Sequence, residues 1–320
     1  MFPGAPLDAS SNQVGCFPLF LRFLFVPVNG MKVKSEKKGI FYVFFTTDSV
    51  RFFLSLVIIL KLKLMSHETY QFLLYAMSVA GVLVFVALYF VKAGYGMFRT
   101  ASWGVSLPNK LAWMLMEVPA FIVMLYGWVR SGMVLSAPQT VFALLFLLHY
   151  FQRSFVFPLL MRGKSRMPLA IVAMGIVFNV LNGMLLTTSL FRYPPAGLYA
   201  DGSDFWMHSL PWIGLALFVL GMGINLHSDY VIRHLRKPGD TKHYLPQKGF
   251  YRYVTSANYL GELIEWIGFA LLTGSPAAWV FVWWTAANLV PRADAIYKRY
   301  REEFGDEAVG SRKRIIPYIY

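Results

Sequence analysis

Apolar residues gather in runs near the length of about 20 that crosses a hydrocarbon core as a helix. The runs lie at 70–91, 111–129, 141–160, 168–190, 211–226, 258–272 and 277–290. The last two are short and meet at Thr273-Gly274-Ser275-Pro276, a tight turn, so they also read as a helical hairpin that crosses only in part. No repeat of 20–50 residues and no low-complexity linker divides the chain. The pattern predicts an all-α, polytopic integral membrane protein of seven transmembrane helices around a polar cavity.

Polar positions inside these runs carry the rest of the reading. Asn225, Asp229, Arg233 and Arg236 recur at i, i+4, i+8 and i+11, which puts an amide, a carboxylate and two guanidiniums on one helical face. Asn258, Glu262 and Glu265 repeat the device at i, i+4 and i+7. Glu117 stands in the middle of LAWMLMEVPAF, where a charge costs about 3 kcal/mol on insertion scales unless it is paired or neutralised. Tyr150 and Arg153, three apart in HYFQRSF, share a face beside the basic loop Arg162-Gly163-Lys164. His149 reads as a packed or capping histidine. The expected product of these stripes is a polar pocket within the membrane.

Composition agrees: 57% of residues are hydrophobic and 14% charged, and the mean hydropathy is +0.51, well outside the soluble range. The net charge of +14 would suit nucleic acid, but no groove-reading motif accompanies it. Its distribution points to topology instead. With the C-terminus cytoplasmic, segments 92–110, 161–167, 227–257 and 291–320 hold 3, 3, 6 and 7 Lys/Arg, and the loops 130–140, 191–210 and 273–276 hold 1, 1 and 0. Nineteen against two is a strong positive-inside bias. It fits a bacterial inner membrane and an endoplasmic reticulum membrane equally.

Residues 1–64 depart from this pattern, with eight Lys/Arg on the side that should be poor in them. They read as an N-terminal extension outside the physiological product, with Met65 as its start and 65–320 as the membrane domain. The stretch 50–64 stays open as a surface helix or an eighth span. Cys16 is the only cysteine, and the six histidines show no paired spacing, so neither a disulfide framework nor a metal site is expected.

Four long segments then identify a resemblance: HYFQRSFVFPLLMRG at 149–163, LGMGINLHSDYVIRHLRKPGD at 220–240, LPQKGFYRYVTSANYLGELIEWIGFAL at 245–271 and SRKRIIPYIY at 311–320. With EVPAF at 117–121 and KAGYG at 92–96, they resemble the steroid 5α-reductases, the 3-oxo-5α-steroid 4-dehydrogenases. That resemblance implies a membrane reductase that binds NADPH from the cytoplasmic side and takes a lipophilic steroid from the lipid, as a monomer. It implies that Glu117 and Tyr150 hold the substrate's 3-oxo group, with Trp113 beside them. It likewise implies that Asn225, Asp229, Arg236, Asn258, Arg292 and Tyr300 line the cofactor cleft. Arg153, Arg162 and Tyr95 are further cofactor candidates, and Glu262 corresponds to an acid that meets the nicotinamide carboxamide. Met97, Met161, Met174 and Ile296 stand where the vertebrate enzymes usually carry a polar or basic residue, which bears on steroid identity and cofactor affinity rather than on reaction class.

The residue types suit that chemistry. A 4-ene-3-one accepts hydride at its β-carbon only if charge arriving on the carbonyl oxygen is stabilised, and a phenol is a good donor to it. Guanidiniums suit the anionic end of a dinucleotide. The alternatives are a related membrane reductase of polyprenol, enoyl thioester or sterol double bonds, a methyltransferase of prenylated cysteines that uses S-adenosylmethionine, and a sterol or lipid transporter without chemistry.

Overall fold

The computed structural model describes residues 65–98, 103–134, 137–162, 165–199, 202–237, 240 and 242–320; the expectations for 1–64, including Cys16, lie outside the described residues. Among the described residues seven long helices follow in order: α1 (His67–Phe90), α2 (Asn109–Ser131), α3 (Pro138–Leu160), α4 (Leu169–Phe191), α5 (Ser209–Arg233), α6 (Ala257–Thr273) and α7 (Pro276–Phe304). The first five are long and apolar enough to cross a membrane. The only strands among the described residues are Ser106–Pro108 and Arg166–Pro168, an antiparallel pair that ties the start of α2 to the start of α4. All-α architecture is therefore as expected.

The turn between α6 and α7 forms for identifiable reasons. Gly274 closes α6 in the left-handed region (φ 58°), Ser275 caps α7 by accepting from the Ala278 amide, and Pro276 takes the first helical position. Helix α7 then runs well past the expected end at 290. Pro291 sits inside it, and no glycine stops it before Gly305. Arg292 and Tyr300 consequently stand on a helix rather than in a loop.

Helices α5 and α6 meet backbone to backbone. A Cβ added to Gly221 would lie 2.2 Å from the Glu265 amide nitrogen, and one on Gly261 would lie 2.4 Å from the Asn225 amide nitrogen. Gly214 and Gly268 repeat this closeness one step along, against Leu272 and Phe218. Small residues at heptad spacing let two membrane helices approach to van der Waals contact of their main chains. The seam lays the stripe of α5 directly against the stripe of α6.

Helix α6 packs in turn against α7 and α3. Phe142, Phe146, Tyr150, Trp266, Phe269 and Phe281 build a buried aromatic core between α3, α6 and α7, with ring centroids 4.5 Å apart for Phe146–Tyr150 and for Trp266–Phe281. Helix α1 docks on α7 through two indole donors, Trp283 to the Ser78 carbonyl (3.2 Å) and Trp284 to the Met77 carbonyl (2.7 Å). Its other face leaves Phe72, Val79, Leu83 and Phe90 exposed, the apolar surface that lipid covers.

The chain's last residues strap the loop that launches α6. The Thr255 and Ser256 amides donate to the Lys313 and Arg314 carbonyls (2.8 and 3.1 Å), and the Lys313 amide donates back to Tyr253 (2.9 Å). Arg312 Nε donates to the Tyr251 carbonyl at 2.8 Å.

Candidate active site

Two polar clusters occupy the interior. The first grows from the glycine seam. Asn225 of α5 donates to the Asn258 carbonyl at the start of α6 (3.0 Å), and the Asn258 amide donates to Asp229 Oδ1 (3.4 Å). Tyr251, fixed by the strapped loop, donates its hydroxyl to Asn258 Oδ1 (3.4 Å). Burial, and then the Asp229 carboxylate, push the Tyr251 phenol well above its ordinary pKa, so it stays a donor. Asp229 Oδ2 in turn faces Arg153 of α3 at 3.4 Å. Asn225 and Asp229 of the first stripe thus meet Asn258 of the second, while Glu265 turns to His149.

Arg153 owes its position to a defect in α3. From Gln152 to Val156 the helix widens to a π turn, closed by the Phe157 amide donating to the Gln152 carbonyl. Pro158 has no N–H for the Ser154 carbonyl, and its ring crowds that carbonyl, which favours the wider turn. The guanidinium then lies over the rings of Trp113 (5.1 Å) and Phe157 (4.6 Å). Four carboxylates, on Glu262, Asp229, Glu117 and Glu265, lie close enough to act on it electrostatically.

A second guanidinium is held in the same manner. Arg292 of α7 stacks on the Tyr95 ring (3.7 Å) and donates to the Tyr259 hydroxyl (2.9 Å) and the Tyr95 carbonyl (3.3 Å). Tyr95 meets Trp113 edge-on at 6.4 Å. Trp113 therefore stands between the two arginines, one helical turn from Glu117.

The second cluster lies between α2, α3 and α4. The Tyr150 hydroxyl donates to Asn179 Oδ1 (3.2 Å), while Asn179 Nδ2 donates to Glu117 Oε2 (3.3 Å) and to the Met116 carbonyl (2.7 Å). Tyr150 and Asn179 are 3% and 4% exposed. Behind Tyr150, His149 Nδ1 meets Glu265 Oε1 at 2.7 Å, and its ring packs edge-on against Trp266 at 4.5 Å. Glu265 is wholly buried. It thus serves α3–α6 packing, where the expectation for His149 was packing or capping alone.

Not every expected residue joins these clusters. Tyr300 is buried beside Phe304, Arg236 is exposed beyond the end of α5, and Arg162 reaches the His234 ring nitrogen (3.2 Å) at that same end. Glu262 is half-buried and within electrostatic range of Glu117, Tyr150 and Arg153. Sequence reasoning missed Asn179, Tyr251 and Tyr259. Asn179 had a signal, since it and Asn182 are amides three apart inside an otherwise apolar run. No grouping of His, Cys, Asp and Glu fit for a metal occurs among the described residues.

Comparison with known proteins agrees with this architecture. A family model for 3-oxo-5-alpha-steroid 4-dehydrogenase matches residues 165–320. The chain is similar to 3-oxo-5-alpha-steroid 4-dehydrogenase 1 of Bos taurus, with 36% identity over 77% of this chain and 95% of that protein. It is 41% identical to 3-oxo-5-alpha-steroid 4-dehydrogenase 2 of Sus scrofa, over 73% and 91%. A steroid 5-alpha-reductase of Arabidopsis thaliana is 33% identical, over 78% and 97%. At such identity, across nearly the full length of these relatives, the chain belongs to the 3-oxo-5-alpha-steroid 4-dehydrogenase family.

Proposed function

We propose that this chain is a membrane oxidoreductase that reduces the Δ4 double bond of 3-oxo-Δ4-steroids to 5α-3-oxosteroids with NADPH. The observation that carries the reading is the pairing of Tyr150 and Glu117 through Asn179, next to a cluster rich in guanidinium and amide groups. Family membership supplies the substrate class, since the relatives are named for it. The residues of the first cluster suit a dinucleotide. Arg153 and Arg292, both planar donors backed by aromatic rings, match anionic phosphate chemistry. Asn225, Asp229, Asn258 and Glu262 offer the mixed donors and acceptors that ribose and carboxamide need. Tyr95 and Tyr300 complete that side, and Arg162 and Arg236 stand at its outer rim. The nicotinamide, when bound, supplies the hydride.

The chain's own part is to receive charge on the substrate. Hydride reaches C5, electrons shift through C4 to the 3-oxo oxygen, and the enolate then takes a proton at C4 from water or an acid. The Tyr150 hydroxyl and a protonated Glu117 both suit donation to the oxygen as it becomes negative. Donors preorganised in a dry site are worth about 3–4 kcal/mol each. Trp113, stacked under Arg153, stands between the two clusters.

Seven spans with the C-terminus on the cytoplasmic side remain the topology we favour, on the positive-inside count. It puts the rim arginines on the side where NADPH is found, and the exposed apolar faces in lipid, from which a steroid enters. A monomer is sufficient, because both clusters come from one chain. The test is membranes or purified protein with NADPH and testosterone, progesterone or a polyprenol. Consumption of NADPH with a Δ4-3-oxosteroid and formation of the 5α product support the reading. Steroid binding without NADPH oxidation favours a carrier, and reduction of polyprenol alone favours the neighbouring reductase class.

A further inference from the structure

The link between Tyr150 and Glu117 has a direction that the atoms themselves impose. Asn179 Nδ2 lies 2.7 Å from the Met116 carbonyl, which can only accept. That identifies which end of the amide is nitrogen and leaves Oδ1 facing the phenol. Oδ1 can only accept, so the Tyr150 proton must point at Asn179. The second Nδ2 proton goes to Glu117 Oε2, so that oxygen is an acceptor, and any proton on Glu117 sits on Oε1. All three of the amide's bonds are thereby spent inside the membrane, where exchanging them for water is not an option.

We infer that Asn179 is a positioning residue, one that fixes the hydrogen-bond polarity of the Tyr150–Glu117 pair by accepting from the phenol and donating to the carboxyl. The inference deepens the reading of that pair as the enone-polarising groups and rests on it for its consequence in turnover. Asn179 holds the phenol in one rotamer and parks its proton until a stronger acceptor arrives. A neutral ketone competes with the amide oxygen on even terms, and an oxygen that is gaining charge outcompetes it, so donation strengthens as the reaction proceeds. It also keeps the proton-bearing oxygen of Glu117 free for the substrate. The other ionisable groups that face the pair are Arg153 and His149 from α3 and Glu262 and Glu265 from α6.

Protonated aspartic acid keeps a carbonyl on one arm and a single O–H on the other, one donor where asparagine has two, whereas aspartate has no donor. Asn179→Asp should therefore come nearest to wild type at acidic pH, short of it by the one donation it cannot make. It should lose kcat, with NADPH binding kept, as the pH is raised and the new carboxylate faces Glu117. Asn179→Leu should be low at every pH, on the order of tenfold to hundredfold in kcat, the range seen when a partner orienting a reacting ligand is removed.

Thermal melting of the same variants, without substrate, gives an independent readout. The melting temperature of Asn179→Asp should fall below that of wild type as the pH rises. Adding Glu117→Gln should lessen that fall, because a glutamine amide donates to the new carboxylate while the Met116 carbonyl still faces it. A purely structural role would leave the fall unchanged by the second substitution, and that result overturns the inference. So does wild-type kcat in Asn179→Leu. If wild-type protein oxidises no NADPH with any enone, the reductase reading fails, and the melting comparison still decides the role of Asn179.

Discussion

The two polar clusters are built on opposite principles. Along the α5–α6 seam, Gly221 and Gly261 bring main chains together, so Asn225, Asp229 and Asn258 are held by backbone proximity and by one another. In the cluster of α2, α3 and α4, Gly127, Gly175 and Gly183 meet side chains of the facing helix rather than its main-chain amides. There a single amide, Asn179, joins a phenol on one helix to a carboxyl on another. The first arrangement suits a surface that must present a fixed set of donors to a large ligand. The second suits a site in which a proton donor must leave one partner for another, which a bond between side chains allows and a fused backbone does not. Rigidity sits on the proposed cofactor side, and exchangeable hydrogen bonds sit on the proposed substrate side.

The largest expected effect comes from removing the exchangeable donor itself. Tyr150→Phe keeps the ring that packs on Phe146 and deletes only the hydroxyl. Turnover should drop about 10²–10⁴-fold, the range for losing a proton-donating group, while NADPH binding persists. Steady-state kinetics with a Δ4-3-oxosteroid and a separate cofactor titration would check it. Full activity would detach Tyr150 from the chemistry and leave the α2–α4 cluster as packing.

Breaking the seam tests the other side of the comparison. Gly221→Ala forces a methyl into the space of the Glu265 amide, and overpacking of this kind costs about 1–3 kcal/mol. The helices must part, which moves Asp229 from Asn258. Gly223, where an added Cβ meets nothing within 4 Å, is the control on the same helix. Gly221→Ala should lower the melting temperature and weaken NADPH binding together, while Gly223→Ala should leave both near wild type. Equal behaviour of the two variants would mean that the close approach does not organise the cluster.

The difference between the clusters also governs what the sequence discloses. Seven apolar runs, the turn at 273–276 and the two stripes are periodic features, and periodicity survives in one dimension. Asn225, Asp229 and Asn258 are therefore legible, and so is Glu117, because a lone charge in an apolar run announces itself. Asn179 is harder to read: with Asn182 it makes an uncharged amide pair, and which of the two matters depends on which helices pack together. The π turn at 152–156 is similarly hidden: Pro158 hints at a break, but α-helical spacing from Tyr150 to Arg153 is only nominal once the turn widens. The run past 290 was cut short because polarity rises there, although Pro291 and the residues after it continue the helix to Phe304.

Glu117→Gln separates the carboxyl's proton from its shape. A glutamine still accepts from Asn179 Nδ2 and still donates to a substrate oxygen, so steroid binding should survive with turnover lowered about tenfold or less, because an amide N–H is a weaker donor than a carboxylic O–H. Steroid KM and kcat measured side by side would show it. A loss as deep as that of Tyr150→Phe would mean that the ionised carboxylate is needed, and the proton would then have to be held elsewhere in the cluster.

The smallest effect belongs to the rim. Arg236 is exposed and lies outside both networks, so any contact it makes with a phosphate is made in water, where an ion pair is worth about 0–1 kcal/mol. Arg236→Ala should raise the NADPH concentration needed for half-maximal rate only a few-fold, and the difference should shrink as salt is added. Arg153→Ala is the informative contrast, because it removes a guanidinium that lies on Trp113 and Phe157 and faces Asp229 in the interior. Its loss leaves a buried carboxylate without its cation, a cost of about 3–5 kcal/mol, and salt should not relieve it. Cofactor titrations of both variants at low and high ionic strength decide the matter. If Arg236→Ala is as severe and as salt-insensitive as Arg153→Ala, the exposed end of α5 closes over the bound dinucleotide, and the rigid cluster extends further toward the rim than the glycine seam alone would hold it.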